Sequence, residues 1–140
     1  ELGHQHHRHI LQFLMLSGVG SWMAFALIQR SASWWLSPMG LEHLSDIAGV
    51  PVLLAILSLL NLIAMPLTNG LSRHFEWQSD RFAIETTQQP KAFADALRRL
   101  AALNLADPHP PRWVTWLFYD HPPITERIHA ADTAAAHASL

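Results

Sequence analysis

The sequence predicts an all-α, integral-membrane helical protein, and three observations carry that prediction. Half of the 140 residues are hydrophobic and only 14% are charged, against about 25% in an ordinary soluble domain. The shortage is local: from Ile10 to Ser72 the only formally charged side chains are Arg30, Glu42 and Asp46, and the other 17 of the 20 lie outside that stretch. Two long apolar runs fill most of it. A uniformly soluble globule and a disordered chain both fit this pattern poorly. The formal net charge of −2 excludes a nucleic-acid partner bound through overall basicity. The absence of cysteine excludes disulfides, thiolate zinc sites and a cysteine nucleophile. Ten histidines are a high count and point toward metal.

The first run, Ile10–Gln29, has 20 residues without a formal charge. At 1.5 Å per residue, a helix of that length spans about 30 Å, the hydrocarbon thickness of a bilayer. The second, Ile47–Met65, ends at Pro66, so that the second transmembrane helix covers 47–66. Its Pro51 falls in the first turns, where a missing N–H is tolerated. Trp34 and Trp35 lie in the connection between the runs, where an interfacial aromatic belt belongs. Two spans make a hairpin, which puts residues 1–9 and everything after Pro66 on one side. Arg8, Arg73 and Arg81 flank that side against Arg30 alone on the other, which favours it as cytoplasmic. Beyond the hairpin, Leu71–Glu85 reads as helix. So does Lys91–Leu105, where Phe93, Leu97, Leu100 and Leu103 repeat at helical spacing. Asp107-Pro-His-Pro-Pro interrupts the pattern. The aromatic stretch Arg112–Tyr119 is read as packing or an interfacial contact, and Pro123 opens a last helix that frays over Ala134–Leu140.

Three constellations could carry chemistry. In Glu1-Leu2-Gly3-His4 the glutamate and histidine are three apart and nearly share a helical face. Bare, that spacing is common, and His6 and His7 after it read as a solvated or headgroup-level turn. In Ser72–Ala83 the carboxylates of Glu76 and Asp80 project from one face. Like charges at that spacing repel unless a cation or an imidazole N–H lies beside them. The residues alone leave open a metal-binding face and a solvated face with Arg73 or Arg81 paired to the acids. In Tyr119–Ile128, His121 stands before two prolines that restrict its backbone. That is an aimed side chain or simply a well-made start to a helix.

Together the three pieces resemble one family, the M48 zinc metallopeptidases, and more closely its integral-membrane type, similar to CAAX prenyl protease 1, than its HtpX type. That family runs HELGH, a polar stretch, a membrane hairpin, an SRxFExxAD-like helix and a late HPPxxERI. Here they stand as ELGH (Glu1–His4), SRHFEWQSDRFA (Ser72–Ala83) and HPPITERI (His121–Ile128), and they cover essentially the whole chain. The Phe75-Glu76 context, the Leu105-Ala-Asp-Pro stretch and the aromatic run before His121 favour the prenyl-protease type.

The resemblance implies zincin-like catalytic helices and one zinc ion per site. Glu1 matches the general base, His4 and Glu76 match zinc ligands, and Asp80 matches an acid that accepts a hydrogen bond from a ligand imidazole. His121 matches a histidine that stabilises the oxyanion. Arg127 matches a basic residue near the site, a contact to substrate or transition state. His9 matches a histidine that often follows the first motif, read as lying near the membrane surface. The first histidine of HExxH would precede Glu1. The resemblance therefore makes residues 1–140 the C-terminal catalytic portion of a peptidase domain, beginning inside HELGH and inactive by itself. The implied activity is that of a membrane-embedded zinc endopeptidase, hydrolysing peptide bonds by metal-activated water. The alternative is a catalytically inactive, membrane-anchored scaffold that lacks the first zinc histidine. Expected partners are a peptide or protein substrate, prenylated or a membrane protein, and the lipid bilayer, with no nucleic acid. The Ala-rich, Lys-poor composition favours a bacterial inner membrane over endoplasmic reticulum.

Overall fold

The computed structural model describes residues 2–43, 46–105 and 107–138. Among them the protein is all-α, without strands, and contains two helices long and apolar enough to cross a membrane. The helices are α1 (Leu2–His6), α2 (His9–Leu36), α3 (Val50–Thr87), α4 (Pro90–Leu103), α5 (Arg112–Phe118) and α6 (Ile124–Ala138). They divide into two compact units: Ile10–Ala64, and Glu1–His9 together with Met65–Leu140.

The apolar unit contains most of α2 and the first part of α3. The helix α2 runs on to Leu36, so Trp34 and Trp35 sit in its last turn rather than in a connection. Beyond it, Gly40 adopts φ 68° and its N–H bonds the Ser37 carbonyl, a left-handed stop that glycine makes without steric cost. Asp46 Oδ2 then accepts from the backbone N–H groups of Glu42 and His43. Ile28 and Leu36 are buried, while Trp22, Phe25, Leu54 and Ile63 are 57–72% exposed. Core helices of a soluble protein hide such side chains. Here the most apolar window of α2 is 0% buried and that of α3 is 6% buried, as expected of helices solvated by lipid.

The sequence suggested two helices, 47–66 and Leu71–Glu85, where α3 is continuous over 38 residues with Pro66 inside it. Proline removes one N–H from the ladder. Helices in an apolar environment tolerate that, because neighbouring bonds and side chains satisfy the freed groups.

In the polar unit, α4 packs on α6, and Ala94, Leu97 and Ala131 are buried on the two helices. Small residues at such a seam let backbones approach. Arg98 closes its rim, donating to both Asp132 oxygens at 2.6 and 2.7 Å. The helix α4 starts with Pro90 at its first position and stops at Leu103, two residues before the expected end, where Leu105 turns to φ 47°. Pro122 and Pro123 are buried, and the Pro123 carbonyl accepts the first backbone bonds of α6, from Glu126 and Arg127. The expected opening of the last helix is therefore met one residue later, at Ile124.

Candidate metal centre

The site is built on α3, whose residues 69–82 present three groups of side chains to their neighbours. Glu76 and Asp80, four apart, share one face. Asn69 and Arg73 hold the end of α5: Asn69 Nδ2 donates to the Leu117 carbonyl at 2.6 Å, and Arg73 Nη1 to those of Thr115, at 3.0 Å, and Tyr119. The Thr115 carbonyl also accepts the Tyr119 N–H that closes α5, so the two side chains cap the end of that helix and fix where the chain turns into Asp120-His121. Phe75 and Phe82 form the third group, and the histidine-rich segment packs on them. His6 stacks on Phe82 with centroids 4.7 Å apart. His9 stacks on Phe75 at 4.2 Å with ring planes 8° apart.

Gly3 is what lets α1 approach α3. A Cβ built there would lie 2.7 Å from Ser79 Oγ and 2.9 Å from Ser79 Cα, so only glycine fits. That approach sets His4 Nε2 3.2 Å from Glu76 Oε1. From the other side, His121 Nε2 comes within 3.5 Å of the same oxygen. Arg127 Nη2 faces the second one, Glu76 Oε2, at 3.2 Å. Four of the expected residues thus converge, from α1, α3, α6 and the turn before α6. Glu1, expected as the base, lies outside the described residues.

Asp80 joins the group through Arg127. Both its oxygens accept from the guanidinium, at 2.7 Å each, and among the described residues no histidine ring takes that place. This answers the charge problem of the Glu76–Asp80 pair. The cation beside them is Arg127, not Arg73 or Arg81. Burial alone lowers the pKa of the Arg127 guanidinium, but the hydrogen bond and charge of Asp80, with the charge of Glu76, outweigh it and the net shift is upward. In the turn, His121 Nδ1–H donates to Asp120 Oδ1 at 2.9 Å. That bond is the main cause holding the Asp120 carboxyl below its ordinary range, with burial opposing.

Sequence reasoning did not single out Asp120, Asn69 or Gln78. Gln78 accepts from His9 and lies beside His74; its sequence signal was only its place in the motif between Glu76 and Asp80. His9 is buried, at 2% exposure, because Phe75 and Gln78 offer its ring both a face and an acceptor.

The imidazole Nε2 of His4 and the carboxylate Oε1 of Glu76 are donor kinds that catalytic divalent-metal sites use. Among the described residues no group of three or more histidine, cysteine, aspartate or glutamate side chains is arranged to hold a metal ion.

Comparison with known proteins gives the family. Residues 1–135 match the model of peptidase family M48. A protein named as an uncharacterized metalloprotease, YhfN of Bacillus subtilis (strain 168), is 31% identical over 136 residues, 94% of this chain and 32% of its own length. A protease HtpX homolog of Streptococcus gordonii is 32% identical over 114 residues, 68% of this chain and 38% of its own. Another, from Streptococcus agalactiae serotype Ia, is 34% identical over 96 residues, 55% of this chain and 32% of its own. No solved structure matches. The chain spans about a third of the length of these relatives. With the match running across all three motifs and through every helix that converges on Glu76, the chain belongs to peptidase family M48.

Proposed function

We propose that the protein carrying this chain is a membrane-embedded zinc metalloendopeptidase that hydrolyses peptide bonds with metal-activated water. The observation that carries this reading is the convergence of His4 Nε2 and His121 Nε2 on one oxygen of Glu76, with Arg127 on the other. His4 and Glu76 would hold one zinc ion with their imidazole and carboxylate. The donor kinds fit, and two ligands rise from helices held together at Gly3 and Ser79. When bound, zinc supplies Lewis acidity and a water of near-neutral pKa.

The chain's own residues do the rest. Glu1 takes the proton from the attacking water and passes it to the leaving amine. His121, oriented by Asp120 at Nδ1, turns Nε2 to the substrate carbonyl oxygen as negative charge develops there. Arg127 pairs with Glu76 and Asp80 side by side and contacts substrate or transition state from a fixed position. Asp80 holds Arg127, and through it the outer oxygen of Glu76. The substrate is a polypeptide at the bilayer, either a prenylated CAAX protein or a membrane protein. The motif features of the prenyl-protease type and the two apolar helices support that class. The same helices, with the composition, support a multi-pass protein of a bacterial inner membrane with its catalytic side cytoplasmic.

The test is metal content. In the full-length protein, purified in detergent, Glu76→Ala is expected to lose its bound zinc by elemental analysis. Retention of one zinc per chain removes Glu76 from the ligand set.

A further inference from the structure

We infer that His9 is a positioning residue for the metal, fixing which ring nitrogen of His4 is free to bind it; the inference rests on His4 being a ligand, as proposed above. His9 is 2% exposed and sits between two polar partners. Its Nδ1 lies 3.1 Å from His4 Nδ1. Its Nε2 lies 2.8 Å from Gln78 Oε1.

The direction of this chain follows from Gln78. Its amide faces His9 with Oε1 and His74 with Nε2, the latter at 3.0 Å. A carbonyl oxygen only accepts, so a neutral His9 has its hydrogen on Nε2 and a lone pair on Nδ1. Two ring nitrogens 3.1 Å apart need one hydrogen between them, and His9 Nδ1 does not supply it. His4 Nδ1–H therefore donates to His9 Nδ1, and the lone pair of a neutral His4 is on Nε2. That atom is the one 3.2 Å from Glu76 Oε1. Two acceptors facing each other at that distance call for a cation beside them.

Metal-bound histidines generally donate their second ring nitrogen to a carboxylate, a carbonyl or water, which sets tautomer and orientation. Here the acceptor is another imidazole, held flat against Phe75 at 4.2 Å. Nearby acids do not serve: among the described residues, both oxygens of Asp80 are engaged by Arg127.

The ring also packs, so the test separates the two roles. His9→Phe keeps an aromatic ring on Phe75 but has no acceptor for His4. His9→Asn loses the stack but offers Oδ1 near the position of Nδ1. In the full-length protein, zinc affinity is measured by competition with a chelator, alongside nitrogen NMR of the His4 ring in the zinc-loaded state. His9→Phe is expected to weaken zinc by about 10–100-fold and His9→Asn to recover most of that loss. The spectrum of the unaltered protein is expected to show hydrogen on Nδ1 and metal on Nε2. Unchanged affinity in His9→Phe, or an Asn variant as weak as the Phe variant, overturns the inference, and so does metal on Nδ1. His4→Ala is the control: if it retains zinc, the ligand assignment itself fails; if it loses zinc while His9→Phe does not, only the positioning role fails.

Discussion

Arg127 decides the charge balance of the centre. Its Nη2 bridges Glu76 Oε2 and Asp80 Oδ1, and its side chain is 13% exposed. Two carboxylates four residues apart on α3 would otherwise face each other with little water between them. Arg127→Met keeps the bulk of the side chain and removes the charge. It is expected to cost about 3–5 kcal/mol of stability in chemical denaturation, the range for stranding one side of a buried ion pair. A cost below about 1 kcal/mol would mean that solvent screens the group as it does at a surface. His121 differs in being more than half exposed, at 57%, with Asp120 on Nδ1. His121→Ala should therefore leave zinc in place and lower turnover by about 10²–10³ if Nε2 stabilises the developing oxyanion. Unchanged turnover would make His121 only the start of a turn.

Close approach of α1 to α3 is a property of the pair of helices. The obstacle to a side chain at position 3 is both the Ser79 hydroxyl and the backbone Cα of Ser79, at 2.7 and 2.9 Å from the added Cβ. A hydroxyl can rotate away, whereas a helix backbone cannot. Gly3→Ala is thus expected to push α1 outward at about 1–3 kcal/mol and to weaken zinc binding through His4. Adding Ser79→Gly should not restore it, since the Cα remains. Wild-type zinc affinity in Gly3→Ala would show that α1 has slack. The link from α1 to α2 carries a related constraint: Arg8 has φ 54°, a left-handed residue that ends one helix before His9 begins the next. At the other side of the site, Asn69 and Arg73 grip α5 by its last carbonyls. This polar pair at i, i+4 is visible in the sequence, but its acceptors are 42–48 residues away.

Taken whole, the protein pairs an apolar unit with a polar one, and solubility follows the first. Helices exposing Trp22, Phe25, Leu54 and Ile63 over windows that are 0% and 6% buried have no stable place in water. The full-length protein is expected to stay with membranes through alkaline carbonate washing and to need detergent for release. Appearance in the carbonate supernatant would return these helices to a soluble assembly.

Local pattern in the sequence was enough for several features. The charge gap from Ile10 to Ser72 marks the apolar helices, and the i, i+4 spacing puts Glu76 and Asp80 on one face. The prolines before Ile124 mark the start of α6. Each is written in neighbouring residues, because helical periodicity and backbone restriction act over a few positions. Only tertiary structure decided that Arg127, 47 residues on, takes Asp80. The same holds for His6 and His9, which stack on Phe82 and Phe75, and for His9 meeting Gln78, 69 positions away. Periodicity says which side a residue faces. It does not say what waits there, and partner choice at 3 Å is set by how closely two helices pack, here by a glycine with no Cβ.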